Sequence, residues 1–194
     1  MSARDAIIMR RNRVTGSTGE TSAIIFEFSR HPDEPGEPGP TGFDFGDMDV
    51  VGDLGSASSG DGGQSMMIFL SVTMLLDELS ALIERGRGGF DWMGISSGFS
   101  LNFTLMKGRM RVRAGRVEIT DTAAVHVLDA VQQAVREFAA RQLPLLDAKD
   151  IGRNDLEDSM ASYSRAVQRY AEAEQTPKRP TTTRKRSPRR QPWQ

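Results

Sequence analysis

Within Asp47-Met48-Asp49-Val50-Val51-Gly52-Asp53, carboxylates fall at alternate places, the pattern by which a calcium loop offers oxygens. Such a loop also needs a ligand where Val51 stands and a closing glutamate, and this stretch has neither. A solvated acidic loop is the expectation, with no metal and no cofactor. Gly55-Ser56-Ala57-Ser58-Ser59-Gly60-Asp61-Gly62-Gly63 has the glycine content of a phosphate cradle without the Gly-Lys-Ser/Thr ending that sets a cation on the phosphates. The chain has two histidines, His31 and His126, and no cysteine, which excludes disulfides, thiolate zinc sites and cysteine nucleophiles. His126 shares a helix face with Asp129, Gln133 and Glu137 and is expected to be exposed; His31 abuts Pro32 at the edge of a loop. Neither has a neighbouring serine and acid in a recognisable order, so no catalytic residue is assigned. A paired-carboxylate or metal-dependent enzyme stays open as the weakest reading, because such pairs are defined in space and not by spacing.

Charge is the stronger signal. The formal net charge is −1, yet residues 31 to 84 hold eleven carboxylates and no lysine or arginine. Residues 85 to 119 hold seven basic groups against Asp91 and Glu118. In that stretch Arg109, Arg111 and Arg113 alternate along a strand. They read as an exposed row that discourages edge association, as partners of the acidic segment, or as an anion surface. From Thr176 to the last residue come seven cations and no acid: Lys178, Arg179, Arg184, Lys185, Arg186, Arg189 and Arg190. Without them the body carries 18 basic and 26 acidic residues, a balance of −8. The chain reads as an acidic domain with a basic, disordered appendage.

The elements that position these groups are legible from periodicity. Residues 5–14 and 22–30 read as two strands, the second with Ile24, Phe26 and Phe28 on one face. Residues 32–42 and 52–63 read as loops, and Phe43-Asp44-Phe45 with Met48 to Val51 as a short edge-like strand. Met66 to Leu70 suits a buried strand, with a single longer helix from Ser65 as the alternative. An amphipathic helix follows, on Val72, Leu75, Leu76, Leu79, Leu82 and Ile83, capped by Ser71 or Thr73 and stopped at Gly86. A meander comes next: Phe99, Leu101, Phe103 and Leu105, a turn at Lys107-Gly108, then Met110 and Val112, then a third strand with Val117 and Ile119. Asp121 or Thr122 caps a helix to about Arg141, with Leu143, Leu145 and Leu146 anchoring the turn after it. A last helix is capped by Asn154 and Glu157. Its narrow seam, Leu156, Met160, Tyr163, Val167 and Tyr170, needs a groove on this chain or on a partner. The fold expected is α+β: a mainly antiparallel twisted sheet on one central helix, then two C-terminal helices. The units are residues 1–146, a connector and helix at 147–175, and the tail at 176–194.

Two local resemblances exist. Thr176-Pro177-Lys178-Arg179-Pro180 and Ser187-Pro188-Arg189-Arg190 resemble the Ser/Thr-Pro-basic turns of linker-histone tails. Asp49 to Ser59 with Met66 to Leu76 resembles small bacterial proteins from GC-rich genomes; this implies no activity and transfers no residue roles. No stretch reaches the roughly 20 apolar residues of a membrane span, and the first residues lack the apolar core of a signal peptide, so a cytoplasmic protein is expected. The first functional expectation is a non-enzymatic binding or adaptor protein of inhibitor or immunity type. Its acidic body or last helix would contact a protein partner or a second copy. The second is a nucleic-acid-associated protein that binds through its tail.

Overall fold

The computed structural model describes residues 24–33 and 39–175; the strand expected at 5–14, part of the Pro/Gly loop and the basic segment from Thr176 lie outside them. The alternation in the first described segment holds. In β1 (Ile25–Arg30), Phe26 and Phe28 are buried, as is Ile24 before it, while Ile25, Glu27 and Ser29 face the other way. Its antiparallel partner β2 (Phe45–Val51) is central where an edge strand is expected. β1 lies on one side of it, and β3 (Ser56–Ser58) and β4 (Met66–Met67) on the other. Met48 and Val50 are fully buried, which an edge position would not require. The glycine and serine content of 52–63 hides β3 and a 3-10 turn at Gly60–Gly62, because small side chains carry no periodicity while the backbone still pairs.

Helix α1 (Ile68–Arg85) begins earlier than the apolar run suggests, leaving only two residues of strand before it. Ile68, Phe69 and Val72 continue the stripe of Leu75, Leu76, Leu79, Leu82 and Ile83, so helical burial serves them all. Neither Ser71 nor Thr73 caps the helix. Its first N–H, on Ile68, donates to Asp44 O (3.0 Å), Ser71 Oγ accepts from Ile95 N–H (2.9 Å), and Thr73 Oγ1 donates to Phe69 O (2.9 Å). Gly86, at φ 69°, ends it as expected.

The meander has four strands, one more than its alternation alone shows: β5 (Gly88–Met93), β6 (Ser100–Met106), β7 (Arg109–Ala114) and β8 (Val117–Ala123), paired in sequence order. Phe99, Leu101, Phe103, Leu105, Met110 and Val112 are all buried, which fixes the register. Trp92 of β5 joins them and donates from its ring nitrogen to Ser71 O (3.2 Å), tying the sheet to α1. At the β6–β7 turn Lys107 (φ 53°) and Gly108 (φ 74°) are both left-handed, the form that suits a two-residue hairpin. The two sheets meet where Leu54 N–H donates to Ile119 O (3.0 Å). Gly52 lies so close there that a Cβ would come within 2.1 Å of Ile119 O, so the seam excludes any side chain.

Helix α2 (Ala124–Gln142) starts after β8 has run through both expected caps; Ala124 N–H donates instead to Gly108 O (2.8 Å). Beyond it Leu146 is buried and Leu143 packs on the core, but Leu145 is exposed. Helix α3 (Ile151–Gln175) starts before Asn154, which is interior to it. Asp150 takes the capping role, with Oδ1 accepting from Arg153 N–H (3.1 Å), while Glu157 pairs with Arg153 (3.1 Å). Residues from both sheets and all three helices form one hydrophobic core, α1 running through it, in an α+β fold.

Candidate functional site

The groove that the α3 seam needs is on this chain. Leu156, Tyr163 and Val167 are buried, and Met160 and Tyr170 are half-buried against the same core. Tyr163 is fully enclosed and its hydroxyl donates to Leu128 O of α2 (3.0 Å). Burial, with Asp129 adding to it, pushes that phenol well above its usual value. Ser159 Oγ donates to Asp77 (2.8 Å) and Arg169 pairs with Glu84 (2.7 Å), flanking the seam with links to α1. Leu156, Tyr163 and Val167 are thus spent on the chain's own core, while Met160 and Tyr170 keep part of their surface exposed.

The arginine row does face solvent, and two of its members, Arg109 and Arg111, pair within their own sheet. Asp121, across β7–β8, accepts from Arg109 Nε (2.9 Å) and Arg111 Nη2 (3.0 Å), and Glu118 lies 3.4 Å from Arg111. Partial burial works against the Asp121 carboxylate, yet the hydrogen bonds from Arg111 and Arg109 outweigh it and hold its pKa below the ordinary range. The seven tail cations named above lie outside the described residues. Near the end of α3 the Glu174 side chain reaches the β6–β7 turn, where a Cβ on Gly108 would be 3.0 Å from Glu174 Oε2.

A cluster that sequence order conceals gathers at the first sheet. His31, Asp47, Ser59 and Ser65 come together from three separate segments. Asp47 Oδ2 is 2.7 Å from His31 Nε2, while Asp47 Oδ1 accepts from Ser59 Oγ (2.9 Å) and Ser65 Oγ (3.0 Å). Ser65 Oγ is also 3.4 Å from the same histidine nitrogen. The residue types are those of a hydrolytic triad, but the connections are not. A triad needs the acid on one ring nitrogen and the serine on the other. Here both meet Nε2, and Ser65 directs its proton to the carboxylate, so the histidine has no site from which to act as base on it. The cluster ties the end of β1 to β2 and to the turn before β4. Partial burial disfavours the Asp47 carboxylate, but hydrogen bonds from His31, Ser59 and Ser65 more than offset it and leave its pKa lowered. A carboxylate lowered in the folded state adds stability above its ordinary value of about 3.9, and that stability is lost as pH falls through the folded value. Replacing Asp47 with Asn should therefore flatten the acid limb of stability against pH, as read from urea midpoints at neutral pH and near pH 3. An unchanged limb would show that Asp47 makes no such contribution.

On the outer face of that sheet Phe45, Asp47 and Asp49 follow one another along β2, and Glu27 of β1 stands directly opposite Asp49. Asp53 and Asp61 belong to the connections beside it, and Phe43 and Phe45 are both exposed. Asp53 Oδ1 accepts from Thr120 Oγ1 (2.6 Å), which braces the seam between the sheets. Among the described residues no three His, Asp or Glu side chains are placed to hold a metal ion, and no helix is long and apolar enough to cross a membrane. His126 is exposed, as its helix face predicts, with Nδ1 3.3 Å from Thr122 Oγ1. No protein-family model, no curated protein and no solved structure matches the chain.

Proposed function

We propose that this protein acts by binding, the acidic outer face of its first sheet receiving a basic protein partner. The observation that carries the reading is the placement of Glu27 directly across from Asp49, with Asp47 next along the strand. Three carboxylates thus stand side by side on one face of the sheet, a local concentration of negative charge. A concentrated negative face steers a basic partner towards itself and rejects acidic ones. Phe43 and Phe45, 56% and 43% exposed, supply the aromatic area from which such contacts draw most of their energy. An inhibitor or immunity-type role against a basic protein is the specific form this takes.

The test is capture from the native cell by the full chain and by a Glu27→Lys/Asp49→Lys variant. The expected result is a stoichiometric basic protein retained by the first and lost, or weakened at least about tenfold, in the second. Identical captures would remove the acidic face from the reading. Capture of nucleic acid instead, lost when residues 176–194 are removed, would favour binding through the tail. What supports that second reading is the composition of residues 176–194, seven cations and no acid.

A further inference from the structure

Several acidic groups on the described surface are matched by arginines of the same body. Arg30 pairs with Asp33 and Asp44, Arg109 and Arg111 with Asp121, Arg153 with Glu157, and Arg169 with Glu84. On the outer face of the first sheet no such match is made for Glu27, which has no cationic partner among the described residues. Asp49 stands directly across from it. The same face carries the exposed ring of Phe45, with that of Phe43 just before the strand. Asp49 and Phe45 are four residues apart, about 13 Å along an extended chain. The face thus offers negative charge at one end and aromatic surface at the other.

We propose that the chain's own last segment, residues 176–194, docks along this face and competes there with the basic partner. The regulatory meaning rests on the reading under which that face receives a partner; the contact itself does not. Charge, reach and spacing point to this occupant. The segment holds seven cations and no acid, against a balance of −8 on the rest of the chain. Residues 1–23, the other long stretch outside the described residues, set four arginines against Asp5 and Glu20, a weaker complement. Nineteen residues extended reach about 60 Å, while a folded body of this length is on the order of 40 Å across. Any point on its surface is therefore within range of the segment. Of the two tryptophans, Trp92 is buried and Trp193 stands near the end of the segment. Arg189 and Trp193 are four residues apart, as are Asp49 and Phe45. Laid extended along β2, the segment brings a guanidinium to Glu27 and Asp49 while the indole covers Phe45. Tethering makes a weak contact effective, because the local concentration of the segment is on the order of millimolar.

The chain has no cysteine, so Ser187→Cys in the full chain takes a nitroxide spin label at a single place. At low salt the label should erase the amide signals of Glu27, Asp47 and Asp49. Signals around Glu78 of α1 and Asp155 of α3, acids that are also exposed, should be spared. Raising the salt to about 0.5 M, where the screening length is roughly 4 Å, should bring the erased signals back. Arg189→Glu/Arg190→Glu should bring them back at low salt, and adding Glu27→Lys/Asp49→Lys to that variant should erase them again. The amide spectrum itself shows that each variant is folded. A label that erases nothing in β1 and β2, or that acts on all exposed acids alike, overturns the proposal. So does a loss of signal that is equally strong between separate spin-labelled and isotope-labelled copies. No partner enters this measurement, so failure to capture one would remove the proposed function and leave the docking result standing.

Discussion

Replacing Phe103 with Ala is expected to lower stability by about 3–5 kcal/mol, a large share of the roughly 5–15 kcal/mol of a typical domain. Phe103 is fully buried on β6 between the rows that β5 and β7 contribute, with its ring stacked on Phe90. Removing it deletes both the transferred area and the contacts of a cavity that a sheet cannot collapse around. Asn102, one residue away, faces outward with its side chain on Asp91 Oδ1 (2.8 Å), so Asn102→Ala should cost under about 1 kcal/mol. Urea unfolding of the two variants checks the register directly. Similar losses for both would mean that the two faces do not differ as described.

Tyr163 carries the second large effect. Tyr163→Ala should cost about 3–5 kcal/mol, because the ring fills the space where α3 meets α1 and α2. Tyr163→Phe keeps the ring and removes only the bond to Leu128 O, for a loss of about 0.5–1.5 kcal/mol. Hydrogen exchange completes the test: amides in the middle of α3 should be protected as well as those of α2 in a dilute monomer. Exchange far faster in α3, with a small cost for Tyr163→Ala, would return the helix to a detachable element.

The contrast between that helix and the meander shows what sequence can carry. Alternation over Phe99 to Val112 fixes side-chain direction residue by residue, because a strand has only two faces and one is buried. The seam of α3 fixes a stripe equally well but not its owner, since a groove in the same chain and one in a partner ask for the same residues. β3 and β5 were illegible for a different reason. Ser56–Ser58 and Gly88-Gly89 offer almost no side chain to pattern, and their strands exist through backbone pairing and the strands beside them. Caps failed likewise: Ser71, Thr73, Asp121 and Asn154 are all suitable residues, but tertiary partners such as Asp44 O and Gly108 O satisfied the helix ends elsewhere. The His31–Asp47–Ser65 cluster spans 34 residues, and no spacing rule connects its members. The acidic character of its surroundings, by contrast, was plain from composition.

The first sheet is fastened to the far end of the chain, and that has a consequence for synthesis. Arg141 Nη2 donates to Phe28 O (3.1 Å), Arg30 Nε to Gln142 Oε1 (3.1 Å), and Gly42 N–H to Asp150 Oδ2 (3.1 Å). β1 and β2 therefore cannot reach their final packing until about a hundred further residues have been made. At about 5–20 residues per second that is a wait on the order of 5–20 s, long against the microseconds in which a hairpin forms. During it Phe28 lacks Phe138, the ring it meets edge-on at 6.2 Å, so that side of the hairpin stays apolar and uncovered. The eleven carboxylates between 31 and 84 give that stretch a negative charge before folding is complete, and like charge opposes association of unfinished copies.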